Sequence, residues 1–192
     1  MKYLTVGTND ITYKLFRKIE DTDDSSMKPR GGLWLTEYNS KNYNDWVEFI
    51  INDPVVFYYK SRHYSMWKQP CSLVTLKDDV NLFNLSNKSD LNYLIERYPL
   101  GNQKFSYQQI SDYYDGIFIN MYDLLYGIKD DEIRKNIFKF GVNSLILFNL
   151  DCIDYYQSGI VSIQPFDFEY GTGEDTNYEI IYDNEKKKIL KR

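Results

Sequence analysis

Apolar and polar positions alternate in Lys2-Tyr3-Leu4-Thr5-Val6-Gly7, which predicts an opening strand. Gly7-Thr8-Asn9-Asp10 reads as a turn that can also cap a helix. Ile11, Leu15, Phe16 and Ile19 follow at helical spacing, so residues 11–19 are expected to be helical. A polar stretch over 20–30 reads as a loop, and Leu33 to Thr36 as a short strand. Asn44 to Ile51 has the form of a capped helix stopped by Asn52-Asp53-Pro54. The β-branched and aromatic run Val55 to Lys60 predicts a strand, as do Ser72 to Leu76 and Val80 to Leu85 across a Lys77-Asp78-Asp79 turn.

Further along, Ser89-Asp90 is expected to cap a helix with Leu91, Leu94 and Ile95 on one face, ending near Pro99. Phe105 to Tyr113 reads as a second short helix. Tyr114-Asp115-Gly116 turns into a strand through Ile119. Met121 to Leu125 and Asp130 to Phe140 are expected helices, and Ser144 to Asn149 a buried strand. Residues 159–169 and 177–182 add two strands around a Gly171-Thr172-Gly173 loop, before a Lys-rich solvated tail from Glu185 to Arg192. No internal repeat or linker divides the chain, so a single domain over 1–192 is expected. Strands and short helices mix without regular βαβ alternation, which favours an α+β class.

The length of 192 residues suits a sizeable core, and 43% apolar with 27% charged residues is a globular composition. A net charge of −5 disfavours nucleic acid as the main partner, because phosphate binding needs a basic face. No apolar run approaches the roughly 18 residues of a membrane span, and no signal-peptide core precedes the first strand. Cys71 and Cys152 are too few for a disulfide framework and read as reduced thiols, so a cytoplasmic protein is expected. The 19 tyrosines fit two readings, an AT-rich coding bias or an interaction surface of rigid amphipathic rings.

Common chemical motifs are missing. There is neither a P-loop nor a G-x-G-x-x-G fingerprint, and Gly171-Thr172-Gly173 reads as a plain turn. With His63 alone beside two distant cysteines, no zinc set is expected. Neither Cys71 nor any serine has the local context of a His63-activated nucleophile.

The most informative segment is Lys28-Pro29-Arg30-Gly31-Gly32-Leu33-Trp34-Leu35-Thr36, which follows the acidic stretch Glu20 to Ser26. Adjacent glycines permit positive φ and close approach of a ligand, while Trp34 and Thr36 supply a stacking face and a hydroxyl. The same residues also fit a turn before a core strand anchored by Trp34.

This segment resembles its counterpart in ADP-ribosyltransferase-like domains. Leu4-Thr5-Val6-Gly7-Thr8-Asn9 stands where the first strand of that family carries His or Arg followed by Gly. Leu33-Trp34-Leu35-Thr36 matches a second strand bearing an aromatic residue and a hydroxyl, and a helix with Trp46 follows. Leu76 to Ser86, Asp90-Leu91, Tyr114-Asp115-Gly116-Ile117 and Leu147 to Ile153 continue the likeness in order over about residues 1–155. Val6 replaces the His or Arg, and Asn143-Ser144-Leu145 has no acid where the family's catalytic Glu often opens a strand.

The resemblance implies a split α+β scaffold of two small sheets with peripheral helices around an NAD cleft. It places the nicotinamide amide against Gly7 with Thr8 beside it, Trp34 or Tyr38 on the ring or cleft wall, and Arg30 on the pyrophosphate. Gly32 would allow close approach, and Thr36, in the catalytic set, would support the nicotinamide ribose or the first-strand residue. Cleavage of the nicotinamide–ribose bond needs a carboxylate facing the developing oxocarbenium ion, and Asp115 is the preferred candidate, with Glu169, Glu174 and Glu179 behind it. Asp115 equally suits a turn-capping role. The function implied is NAD-dependent modification of a macromolecular target, expected to be a protein, by a toxin, effector or phage-encoded modifier. The competing expectation is a catalytically silent scaffold that binds a protein partner, as an inhibitor or interaction module.

Overall fold

The computed structural model describes residues 1–22, 27–52, 67–163 and 178–189. The expected strand at Val55–Lys60, His63, Glu169, Glu174 and the Gly171-Thr172-Gly173 loop lie outside these residues. In chain order the elements are β1 (Lys2–Val6), β2 (Leu33–Glu37), α1 (Asp45–Asn52), β3 (Trp67–Leu76), β4 (Leu82–Leu85), α2 (Lys88–Arg97), β5 (Pro99–Gly101), β6 (Lys104–Phe105), α3 (Tyr107–Ile110), β7 (Gly116–Ile119), α4 (Met121–Gly127), α5 (Asp131–Phe138), β8 (Ser144–Leu147), β9 (Ile153–Ile163) and β10 (Tyr178–Tyr182). Mixed strands and short helices without βαβ alternation agree with the α+β expectation at this coarse level.

The chain forms two compact units. The first comprises Met1–Thr12, Thr36–Leu76 and Ile153–Arg192. Its strands lie in the order β10-β9-β3-β1, and Thr36 and Glu37 of β2 pair with Leu4 and Tyr3. β3 and β9 are long antiparallel partners from Trp67↔Ile163 to Leu76↔Ile153. One face buries Leu4, Cys71, Val161, Tyr178 and Ile180 against Val47 of α1. The period-two pattern of a half-buried strand is plain in β10, where Tyr178 and Ile180 are buried and Glu179 and Ile181 exposed.

The second unit comprises Tyr13–Leu35 and Lys77–Cys152. Leu33, Trp34 and Leu35 pair with Leu147, Ile146 and Leu145 of β8, β8 runs antiparallel to β7, and β7 parallel to β4. All of β8 is buried, as its unbroken apolar run requires. Leu91 and Leu94 of α2, Met121 and Leu124 of α4, and Ile137 of α5 complete this core. Asn87 caps α2 in a reciprocal box: its side chain accepts from Asp90 N at 3.0 Å, and Asp90 Oδ2 accepts from Asn87 N at 3.1 Å. The cap therefore stands two positions before the expected Ser89.

The expected helix at Ile11–Ile19 does not form. Ile11 and Ile19 are buried, but Leu15 is 62% exposed, so the helical face has no core to meet. Tertiary pairing takes the backbone instead: Gly32 N donates to the Arg17 carbonyl at 2.9 Å, and Glu20 and Arg30 exchange two bonds of 2.9 Å. The helix expected over Phe105–Tyr113 shortens to α3, because Phe105 belongs to β6. β9 begins at Ile153, six positions before the expected strand at 159.

Candidate functional site

Of the residues the sequence singles out, Gly7, Thr8, Thr36 and Tyr38 belong to the first unit, and Arg30, Gly32, Trp34 and Asp115 to the second. Within the first unit, Gly7 has φ +109° and donates its N–H to the Pro70 carbonyl at 2.7 Å, closing the β1–β3 ladder. The Thr8 hydroxyl donates to the Asp10 carbonyl at 2.8 Å and accepts from Asp10 N at 3.2 Å, a local turn. Tyr38 meets Tyr182 edge to face at 6.1 Å, and burial with the neighbouring Tyr182 pushes its hydroxyl pKa up to about 12.

Thr36 is buried beside Asn44, whose Nδ2 donates to its hydroxyl at 2.9 Å and to the Glu37 carbonyl at 2.9 Å. Asn44 is itself fully buried. Its Oδ1 accepts from Trp46 N at 3.1 Å and Val47 N at 3.3 Å, capping α1, and its own N–H donates to the Tyr178 hydroxyl at 2.7 Å. Thr36 is thus the β2 end of a polar connection from strand to helix. Sequence reasoning places Asn44 only as a helix cap; the strand bonds come from tertiary contact.

In the second unit the glycine pair has a steric cause. Gly31 and Gly32 have φ of +72° and +68°. A Cβ on Gly31 would strike the Lys18 carbonyl oxygen, and one on Gly32 would lie 2.8 Å from Ile146 Cγ2 and 3.0 Å from the Leu147 oxygen. Trp34 Nε1 donates to the Gly31 carbonyl at 3.0 Å, and its ring stacks on Phe140 at 6.0 Å. The Lys28 ammonium lies 5.7 Å from the Trp34 ring centre and 5.8 Å from that of Phe140, and burial lowers its pKa. Arg30 is exposed and holds Glu20 through backbone bonds.

Asp115 uses both carboxylate oxygens within the unit. Oδ2 accepts from Asn81 N at 3.0 Å and Oδ1 from Asn149 Nδ2 at 2.9 Å. Its backbone donates to the Asn81 carbonyl and accepts from Phe148 N, each at 2.8 Å. The residue ties together the approaches to β4, β7 and β8. Gly116 follows because a Cβ there would lie 2.7 Å from the Ile146 oxygen.

The second unit also carries a contiguous group of rings that the pattern of apolar positions does not announce. Phe83 stacks on Tyr93 at 5.9 Å and 4° and meets Tyr114 edge to face at 5.4 Å. Tyr98 packs on Tyr113 at 5.7 Å. Tyr98 is buried, whereas Tyr93 and Tyr113 are 46% and 60% exposed. Burial raises the pKa of Tyr98 and Tyr114 above the usual tyrosine value. The available signal is Tyr93 itself, a large ring off the Leu91–Leu94 face of α2.

Among the described residues no helix is long and apolar enough to cross a membrane, and no cluster of His, Cys, Asp or Glu is arranged to hold a metal ion. No family model, curated protein or solved structure matches this chain.

Proposed function

We propose that this protein is a binding module for a macromolecular partner, the silent-scaffold alternative to NAD-dependent ADP-ribose transfer. The observation that carries the reading is the ring cluster of Phe83, Tyr93, Tyr98, Tyr113 and Tyr114, in which Tyr93 and Tyr113 remain about half exposed. Rigid aromatic rings with hydroxyl rims give large contact area at small entropic cost, which is why they anchor protein interfaces.

The enzyme reading makes a different demand. NAD would have to share Asp115 with Asn81 and Asn149, Thr36 with Asn44, and Gly7 with the β1–β3 ladder. The net charge of −5 favours a protein over nucleic acid as the partner. Cys71 and Cys152, both free and buried, suit a reducing compartment such as the cytoplasm.

The test immobilises the wild type and a Tyr93→Ser/Tyr113→Ser variant and exposes both to lysate, with and without millimolar NAD. A protein retained by the wild type alone, indifferent to NAD, supports the module. Nicotinamide release by the wild type, or retention that requires NAD, favours the transferase.

A further inference from the structure

The first unit contains a half-open cleft of about 230 Å³ on the sheet face opposite its core, lined by Asn9, Lys68, Ser158, Ile160, Ser162, Ile181 and Asp183 with the Gly159 backbone. Register explains the grouping. Ile160 pairs with Ile181 on one side and Pro70 on the other, and Ser162 pairs with Lys68, so these side chains share one face. Ile160 and Ile181 remain 43% and 54% exposed, forming an apolar floor across β9 and β10.

The charges around this floor stand at opposite ends. Asp183 lies at the Ser158 end, where the Lys187 ammonium donates to Ser158 Oγ at 2.9 Å. Ser158 Oγ itself donates to the Asn9 carbonyl at 2.6 Å. At the other end Glu179 is paired with Lys41 at 3.1 Å. Lys68 is exposed there beside Ser162 and is the cation among the described residues that line the cleft.

We infer that this cleft docks an extended peptide segment of a partner protein that carries an acidic residue and, two positions away, an apolar one. Ser162 and Ile160 are two residues apart on one strand, about 7 Å. Residues i and i+2 of an extended peptide have the same spacing and point the same way. The acid then meets the Lys68 ammonium and Ser162 hydroxyl while the apolar side chain covers Ile160 and Ile181. The half-open shape suits side chains presented by a larger chain. A free small ligand needs most of its surface enclosed to bind well. This site is separate from the tyrosine cluster and does not depend on the reading built on it.

The experiment selects a displayed library of random linear 12-residue peptides on the intact protein and on two variants, Lys68→Glu and Ile181→Ser. Both changes are at exposed positions, and unchanged thermal unfolding verifies the fold. The wild type is expected to enrich Asp/Glu-x-apolar sequences, Lys68→Glu to enrich Lys/Arg-x-apolar ones, and Ile181→Ser to lose the enrichment. A synthetic peptide from the wild-type pool should bind Lys68→Glu at least tenfold more weakly by fluorescence polarisation. Absence of enrichment, the same motif on all three proteins, or equal competition by free hexanoate overturns the proposal. Lysate capture that survives such a failure leaves the tyrosine module standing.

Discussion

Replacing Asn44 tests how the first unit joins strand to helix, because its side chain does two separable jobs. Asn44→Ser keeps an oxygen that can accept from Trp46 N and Val47 N, so the α1 cap survives. It loses the amide that donates to the Thr36 hydroxyl and the Glu37 carbonyl, each at 2.9 Å. Two lost bonds at about 1 kcal/mol each, with added cost for an acceptor left dry, give a destabilisation of about 2–4 kcal/mol. Asn44→Ala forfeits the cap too, adding about 1 kcal/mol. Thr36→Val removes the other partner and should cost about 1–2 kcal/mol. Urea unfolding followed by circular dichroism reads each value, and the Thr36→Val/Asn44→Ser cycle should return a coupling of at least about 0.5 kcal/mol. Equal stability of Asn44→Ala and wild type, or strict additivity in the cycle, would refute the connection and return Thr36 to candidacy as a free site hydroxyl.

Gly32→Ala should destabilise by about 3 kcal/mol or more, from left-handed backbone plus collision with Ile146, whereas Gly7→Ala, with open space at its Cβ, should cost only about 1–2 kcal/mol of backbone strain; equal costs by denaturant midpoint would contradict the steric account. Asp115→Asn should lower stability by about 1–2 kcal/mol through its bonds to Asn81 and Asn149, and an unchanged urea midpoint would release the carboxylate for chemistry. Burial pushes the Cys71 and Cys152 thiols up to about 12 from an ordinary value of 9.0. Folding therefore favours the protonated thiols: their contribution is intact below pH 9.0 and is lost as pH rises toward about 12, by at most about 1.4 kcal/mol per pH unit for each thiol. A Cys71→Ala/Cys152→Ala variant should show a flatter decline of the urea midpoint above pH 9.0 than wild type, and parallel declines would count against the thiols.

The legible parts of the chain are those where side-chain period and local hydrogen bonding decide the outcome. β1, β8, α1 and α5 stand within a residue or two of their expected places, because alternation, an unbroken apolar run and capping residues act over a few positions. Ile11–Ile19 misleads because its helical spacing competes with backbone pairing to residues 30–32, which are distant in sequence. The glycine pair is visible at once, but whether it faces a ligand or the protein itself depends on Ile146, Leu147 and Lys18, brought there by the sheet. Asp115 likewise carries its chemistry on its face, yet Asn81 and Asn149 decide what the carboxylate is used for. Neighbours along the chain were enough to specify the α+β mixture, the Asn44 cap of α1 and the alternation of β1. Which polar atoms are occupied, which tyrosines reach solvent and where a cleft opens follow from residues that meet through strand register and core packing, far apart along the chain.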